Sequence, residues 1–504
     1  MLALARTFAI VGIDAVVVDA EVDIHRGLPA FSVVGLPDAA VRESRERVRA
    51  AIVNSGFEFP LKRITVSLAP ADLRKAGPGF DLAIAAAILV ASGQLSQSLL
   101  SNWSFAGELA LDGRLRKVRG ALAMADAARS TGGVGLALPE ANASEAGMID
   151  GLDVAPLQSL TALGALAGGE LPQWRGRERD RSEVGEEEGF GLQPLGDLAD
   201  LRGQPTLRHA LEIAAAGGHS LLVVGPPGSG KSLGARRLPS ILPPLSTAES
   251  IEVARVSGVV GLDPARGRRP FRAPHHTISP AGLVGGGTPP RPGEISLAHR
   301  GVLFLDELAE FPRAALEALR QPLESGQVTI ARARGAVRFP ARFQLIAAAN
   351  PCPCGRGESD PACGCSPDAV RRYSARLSGA LADRLDIALA ISQPGADALA
   401  GDQAEGSDAV RERVLAARER QARRLGAGIT NAECGDAELR GAVELSEAAG
   451  VALGRAQSRF GLSGRGWTRT LRVARTAADL EGSGPVEERH VLAALSLRRR
   501  PKEV

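Results

Sequence analysis

The stretch Leu221-Leu-Val-Val-Gly-Pro-Pro-Gly-Ser-Gly-Lys-Ser232 constrains this chain more than any other. An apolar run of strand type ends in G-x-x-x-x-G-K-S, and a helix-forming segment follows. In that context the pattern is a phosphate-binding loop. Gly225, Pro226, Pro227, Gly228, Ser229 and Gly230 form the loop. Its glycines let the backbone curl so that successive amides face phosphate oxygens. The helix amino terminus adds partial positive charge beneath them. Lys231 is placed to reach the β- and γ-phosphates of a nucleoside triphosphate, and the Ser232 hydroxyl to sit on Mg²⁺. The fold class follows: an α/β core with the ligand at the carboxyl ends of its strands.

At 504 residues the chain is too long for one ordinary core. Apolar residues make up 44% and charged residues 23%, as in a soluble globular protein. Aromatics are only 3%, so Ala, Leu, Val and Ile must build the cores. A net charge of +3 gives no chain-wide field for nucleic acid, so any basic surface is local. No secretory leader is expected, because Met1–Arg6 is weakly basic and the apolar run after it is broken by Asp14 and Asp19. The longest apolar run, Leu82 to Ser92, is too short for a bilayer, so no membrane partner is expected. Four of the five cysteines cluster, which suits a reducing cytoplasm better than a disulfide framework.

Residues 1–170 read as an α+β domain. Strands are expected over 15–24, 31–35 and 63–68. A basic amphipathic helix is expected over 38–55 and a buried one over 81–92. This part resembles the ribosomal-S5-like fold of the Lon protease catalytic domain, through Ala69-Pro-Ala-Asp72, Gly77-Pro-Gly-Phe-Asp81 and Gly107-Glu-Leu-Ala-Leu-Asp-Gly113. Gly79 stands where that family's serine would be, and Gly120-Ala-Leu-Ala123 where its lysine would be. Without nucleophile and base there is no acyl transfer, so the resemblance implies the fold and not the proteolysis. Residues 171–195 are charge, Gly and Ser with almost nothing to bury, and read as a solvated linker.

Residues 196–395 form the expected nucleotide-binding core. A helix over 206–215 follows Leu201-Arg-Gly-Gln204, where an adenine would lie. Gly301-Val-Leu-Phe-Leu-Asp-Glu307 is a buried strand ending in two acids. Asp306 can hold the Mg²⁺ shell and Glu307 can orient and activate water. A third strand, 343–349, ends in Asn350, which could meet the γ-phosphate or the water, or could simply begin a turn. The Gly- and Pro-rich segment 271–299 reads as a loop. Its His275 and His276 fit loop packing or DNA contact better than a metal, since no Cys or carboxylate stands at ligand spacing. Residues 327–339 read as a hairpin with Arg332, Arg334 and Arg338 near its tip, either a contact for DNA phosphates or a solvated turn. Cys352, Cys354, Cys363 and Cys365, two C-x-C pairs, could form a tetrahedral Zn²⁺ site or remain reduced thiols. Residues 405–504 are helical, with helices expected over 408–425, 437–449, 468–480 and 486–497, and their arginine-rich faces are solvated or, as the alternative, contact DNA.

Several long stretches occur in one order: the phosphate loop, Phe271-Arg-Ala-Pro-His-His-Thr277, Gly293-Glu-Ile-Ser-Leu-Ala-His299, Leu303-Phe-Leu-Asp-Glu307, Asn350-Pro-Cys-Pro-Cys-Gly355 and Leu377-Ser-Gly-Ala-Leu-Ala-Asp-Arg384. Together they resemble the magnesium-chelatase-like AAA+ ATPases of the ComM/YifB type over nearly the whole chain. The resemblance implies an αβα AAA+ core with a carboxyl-terminal helical lid, ATP and Mg²⁺ as cofactors, and a homo-oligomeric ring, expected to be a hexamer. It points to a cytoplasmic DNA helicase or branch-migration motor of natural transformation. It also assigns Arg384 as a finger reaching a neighbour's γ-phosphate, although Asp383-Arg-Leu-Asp386 could instead be a surface ion-pair cluster. Arg465, with Arg469 as the alternative, matches a second sensor arginine at the start of a lid helix. Gly464 and Trp467-Thr468 depart from the family pattern there. The rival reading is a magnesium chelatase ATPase subunit, which would resemble residues 197–500 but usually lacks the first domain.

Overall fold

The computed structural model describes residues 1–132, 135–170, 196–262, 267–332, 335–357, 360–377, 381, 384–400 and 404–498. They form two compact units, one of Met1–Phe190 with Ile251–Pro264 and Thr288–Arg291, the other of Gly191–Ser250, Ala265–Gly287 and Pro292–Val504. The expected linker, 171–195, lies outside the described residues.

The first unit is built on seven strands: β1 Leu2–Val11, β2 Asp14–His25, β3 Ala30–Val34, β4 Arg63–Ala69, β5 Trp103–Phe105, β6 Gly135–Pro139 and β7 Val154–Leu157. Their order across the sheet is β3-β4-β2-β1-β5-β6-β7. β1 lies outside the strands that the sequence predicts. It pairs antiparallel with β2 from Leu2↔Asp23 to Val11↔Asp14. Asp19, Glu21 and Asp23 alternate along one face of β2, while Val18, Ala20, Val22 and Ile24 fill the other and are buried; the exposed Asp14 opens the strand. Helix α1, Ala39–Asn54, is capped by Asp38, whose side chain accepts from the Val41 amide. Helix α2, Asp81–Ala91, is buried at every position. Most of the helix Thr247–Val260 belongs to this unit: Ala254 joins its core, and Arg255 pairs with Asp126 at 2.7 Å.

The second unit holds a parallel sheet. Its strands are β8 Leu221–Val224, β9 Phe271–Arg272, β10 Val302–Leu305, β13 Gln344–Ala349 and β14 Ile387–Ala390. Between β10 and β13 runs the hairpin β11 Gln327–Arg332 and β12 Gly335–Pro340. The sheet order is β9-β10-β13-β8-β14, all parallel, with β8 in the interior and each of its residues buried. A four-residue run that is apolar throughout suits a strand covered on both faces. The segment expected to be loop from Phe271 therefore begins as the sheet's edge strand. Helix α3, Pro205–Gly217, precedes β8, and helix α4, Lys231–Ile241, follows the phosphate loop.

The carboxyl-terminal part is helical: Ser407–Leu425, Asp436–Ala442, Glu447–Phe460, Gly464–Glu481 and Glu488–Ser496. A single helix over 437–449 was the expectation. Instead Val443 turns extended, Leu445 bridges to Val486, and Ser446 caps a new helix by accepting from the Ala449 amide. Local helix propensity yields here to a tertiary strand contact and a cap. The arginines of Ser407–Leu425 are not simply solvated. Arg413 pairs with Glu212 at 2.6 Å, Arg418 donates to the Ala215 carbonyl at 2.7 Å, and Arg424 pairs with Asp479 at 2.7 Å. They bind this helix to α3 and to Gly464–Glu481.

Candidate active site

The phosphate loop leaves β8 at the carboxyl edge of the sheet. Gly228 and Gly230 have φ of +78° and +91°, the left-handed region where a side chain is strained. The loop then enters α4 at Lys231, so the curled backbone and the positive helix end meet at one place. The Lys231 ammonium is 8% exposed. It donates to the carbonyls of Gly225 at 2.6 Å and Pro226 at 2.8 Å, and to Oδ1 of Asn350 at 3.3 Å. Burial lowers its pKa, and the nearby Asp306 opposes that. Asn350 ends β13, the neighbour of β8, so sheet register delivers it to the lysine.

Ser232 Oγ donates to Asp306 Oδ2 at 2.6 Å. A hydroxyl and a carboxylate so placed are an oxygen donor set suited to Mg²⁺, which binds through few protein oxygens and keeps several waters. Glu307 follows with φ +53°, a left-handed conformation unusual outside glycine. Its amide donates to Asp306 Oδ1 at 3.0 Å, and its carboxylate Oε2 lies 3.2 Å from His276 Nδ1. The sequence placed no carboxylate beside the two histidines; folding brings Glu307 to one of them. His275 and His276 pack ring on ring at 4.1 Å, and His276 meets the edge of Phe311.

Two glutamines that the sequence reading did not single out hold the loop. Gln204 Nε2 donates to the carbonyls of Ser229 at 3.0 Å and Ser392 at 2.7 Å. Gln393 Nε2 donates to the Pro227 carbonyl at 2.7 Å. Beside Gln204 is a cavity of about 320 Å³ lined by Leu198, Gly203, Pro205, His209 and Val410 among others. It lies where the sequence placed the adenine.

Arg384 stands elsewhere. β14 and β8 are parallel, with Leu221 opposite Ile387 and Val224 opposite Ala390. Arg384 precedes β14, whereas the phosphate loop follows β8, so they lie at opposite ends of two neighbouring parallel strands. A four-residue strand separates them by roughly 13 Å. Arg384 pairs with Glu324 at 2.6 Å. Arg469 is at the same end, 3.5 Å from Asp386. Arg465 is exposed in the first turn of Gly464–Glu481. In the hairpin, Thr329 faces an exposed Arg338. The Arg332 side chain and Arg334 lie outside the described residues.

The four clustered cysteines converge. Their sulfurs all lie within 4.8 Å of one another, with Cys352–Cys354 at 3.3 Å, Cys354–Cys363 at 3.5 Å and Cys352–Cys363 at 3.8 Å. Four thiolates around Zn²⁺ at about 2.3 Å would stand about 3.8 Å apart, so the set fits a tetrahedral zinc site. The Arg356 amide, and then Cys352, pull the Cys354 thiol down to about 6.

Family models cover most of the chain. Residues 197–399 match the magnesium chelatase subunit ChlI, residues 20–142 the subunit ChlI of Mg-chelatase, and residues 404–498 the ChlI carboxyl-terminal region. The chain is 43% identical to the uncharacterized protein YifB of Escherichia coli, covering 99% of this chain and 97% of that one. It is also 43% identical to the competence protein ComM of Haemophilus influenzae, with the same coverage. The magnesium-chelatase 38 kDa subunit of Rhodobacter capsulatus is 27% identical over 183 residues, 32% of this chain and 52% of that one. With a P-loop on the inner strand of a five-stranded parallel sheet, a helical carboxyl-terminal region and full-length relatives of this kind, the chain belongs to the magnesium-chelatase-like AAA+ family that includes ComM and YifB.

Proposed function

We propose that this protein is a cytoplasmic Mg²⁺-dependent ATPase that works as a homo-oligomeric ring, a hexamer, and moves DNA by helicase or branch-migration action. The observation that carries the ring is the placement of Arg384 and the phosphate loop at opposite ends of the neighbouring parallel strands β14 and β8. An arginine there cannot serve its own nucleotide, but a neighbouring subunit can present it to the next.

The residues divide the work. The loop Gly225–Gly230 and α4 bind the phosphates, and Gln204 and Gln393 keep the loop shaped. Lys231 leaves carbonyl acceptors for phosphate oxygens. Ser232 and Asp306 would hold Mg²⁺, which neutralises developing phosphate charge. Glu307 orients and activates the water, with His276 setting the carboxylate's direction. Asn350 fixes Lys231 and is near enough to sense the γ-phosphate. Arg384 stabilises transition-state charge across the subunit boundary, and Arg465 or Arg469 adds the lid's contact. A Zn²⁺ ion in the cysteine loop completes the cofactors.

DNA as the partner is supported by the full-length likeness to a competence protein and by the exposed Arg338 on the hairpin, whose first strand ends at Arg332. The rival, a chelatase ATPase subunit, is favoured by the ChlI family models. Against it, the chelatase subunit itself matches only 32% of this chain. The test compares ATP hydrolysis and movement of branched DNA by wild type and Lys231→Ala. Loss of both in the variant is expected. Movement of branched DNA without ATP would overturn the reading.

A further inference from the structure

The cysteine loop runs from the end of β13 to the helix Pro367–Leu377, with no helix or strand between among the described residues. Two contacts tie it to the phosphate loop. Asn350 accepts from Lys231, and Pro351 and Cys352 follow it directly. Further on, Gly355 has φ +85°, and a Cβ built there would come within 3.0 Å of the Pro227 ring. Gly355 therefore abuts the phosphate loop at a point where a side chain would be strained and would crowd Pro227. Cys352 is the anchor. It is fully buried, its sulfur accepts from the Gly357 amide at 3.2 Å, and its carbonyl accepts from the Gly355 amide at 3.0 Å. The outer cysteines, Cys363 and Cys365, are half-buried and reach the cluster from eleven and thirteen residues along the chain.

We propose that a soft divalent cation, Zn²⁺, bound by Cys352, Cys354, Cys363 and Cys365, clamps this loop and through Gly355 and Asn350 sets the phosphate loop for nucleotide. The metal is the crosslink that an irregular segment otherwise lacks, since a structural thiolate site contributes folding energy directly. Loss of the metal releases Gly355 from Pro227 and Asn350 from Lys231. Nucleotide affinity then falls, although no cysteine is placed to touch nucleotide. The inference rests on reading Gly225–Ser232 as the nucleotide site.

The experiment measures two quantities on the full-length protein: zinc per chain by elemental analysis and affinity for a fluorescent ATP analogue. Wild type is expected to carry one zinc; wild type purified without zinc overturns the proposal. Cys363→Ser/Cys365→Ser should lose the metal and bind the analogue about tenfold more weakly, the loss of about one charge-assisted hydrogen bond. Gly355→Ala should keep its zinc and still bind more weakly, because its Cβ pushes on Pro227. Stripping zinc from wild type with a chelator and restoring it should lower and then recover affinity, which separates the effect from misfolding of a variant. Unchanged affinity in zinc-free wild type or in Gly355→Ala overturns the coupling. Lys231→Ala serves as the separate control: zinc retained with analogue binding lost is expected. If that variant binds normally, it is the nucleotide-site reading that has failed.

Discussion

Mixing two inactive variants tests the shared site most directly. Lys231→Ala removes the amine proposed to bind phosphate, and Arg384→Ala removes the proposed finger. Each alone should hydrolyse ATP at least about a thousandfold more slowly than wild type, the usual worth of a finger arginine. In a ring assembled from equal amounts of both, a working interface needs an intact Lys231 on one subunit and an intact Arg384 on the next. With random order, about a quarter of interfaces meet that condition, so about a quarter of wild-type activity should return. Were Arg384 to act within its own chain, every subunit would lack one essential group and nothing would return. Stability does not confuse the result. Arg384 is 16% exposed and its partner Glu324 57%, so losing the pair costs about 1 kcal/mol or less and shifts Tm by only a few degrees. The assay is steady-state ATP hydrolysis across mixing ratios, with a peak near equal proportions. A mixture no more active than its parents would refute the shared site and with it the argument from strand register.

Other outcomes follow from the same geometry. Glu307→Gln should bind an ATP analogue normally yet lower kcat by about a hundredfold or more, since the amide keeps the shape but cannot take a proton; weakened binding would show that Glu307 holds nucleotide instead. Arg338→Glu should weaken binding to branched DNA and flatten its salt dependence while leaving basal ATP hydrolysis intact, and unchanged DNA affinity would remove the hairpin from the interface. Asp81, buried in α2, has its pKa pushed up to about 6 by burial, against the pull of its hydrogen-bonded partner Arg47 at 2.8 Å. A folded-state pKa above the unfolded value of 3.8 contributes stability that is complete below that value and is lost as pH rises through about 6. The first unit should therefore resist denaturant better at pH 4.5 than at pH 7.5, by about 2 kcal/mol from this group, and Asp81→Asn should remove that slope.

What could be read from residues alone was whatever depends on a few neighbouring positions. The phosphate loop is such a case, because glycine spacing, Lys231 and Ser232 decide its shape within eight residues. So are the apolar strands ending in Asp306 and Asn350, and the helices around α1 and α2. β1 was not legible in the residues, because its strand character rests on pairing with β2 along its whole length. Periodicity misled at 437–449, where a bridge from Leu445 to Val486 stops a helix that its own residues favour. Tertiary structure alone decided what joins distant segments. Parallel register placed Arg384 at the strand end away from the nucleotide, folding brought Glu307 to His276 and Gln204 to Ser229, and it gathered four sulfurs within 4.8 Å. The physical reason is range: backbone preference and burial pattern act over a turn or a strand, whereas a site is completed by contacts whose partners are fixed only once the sheet is assembled.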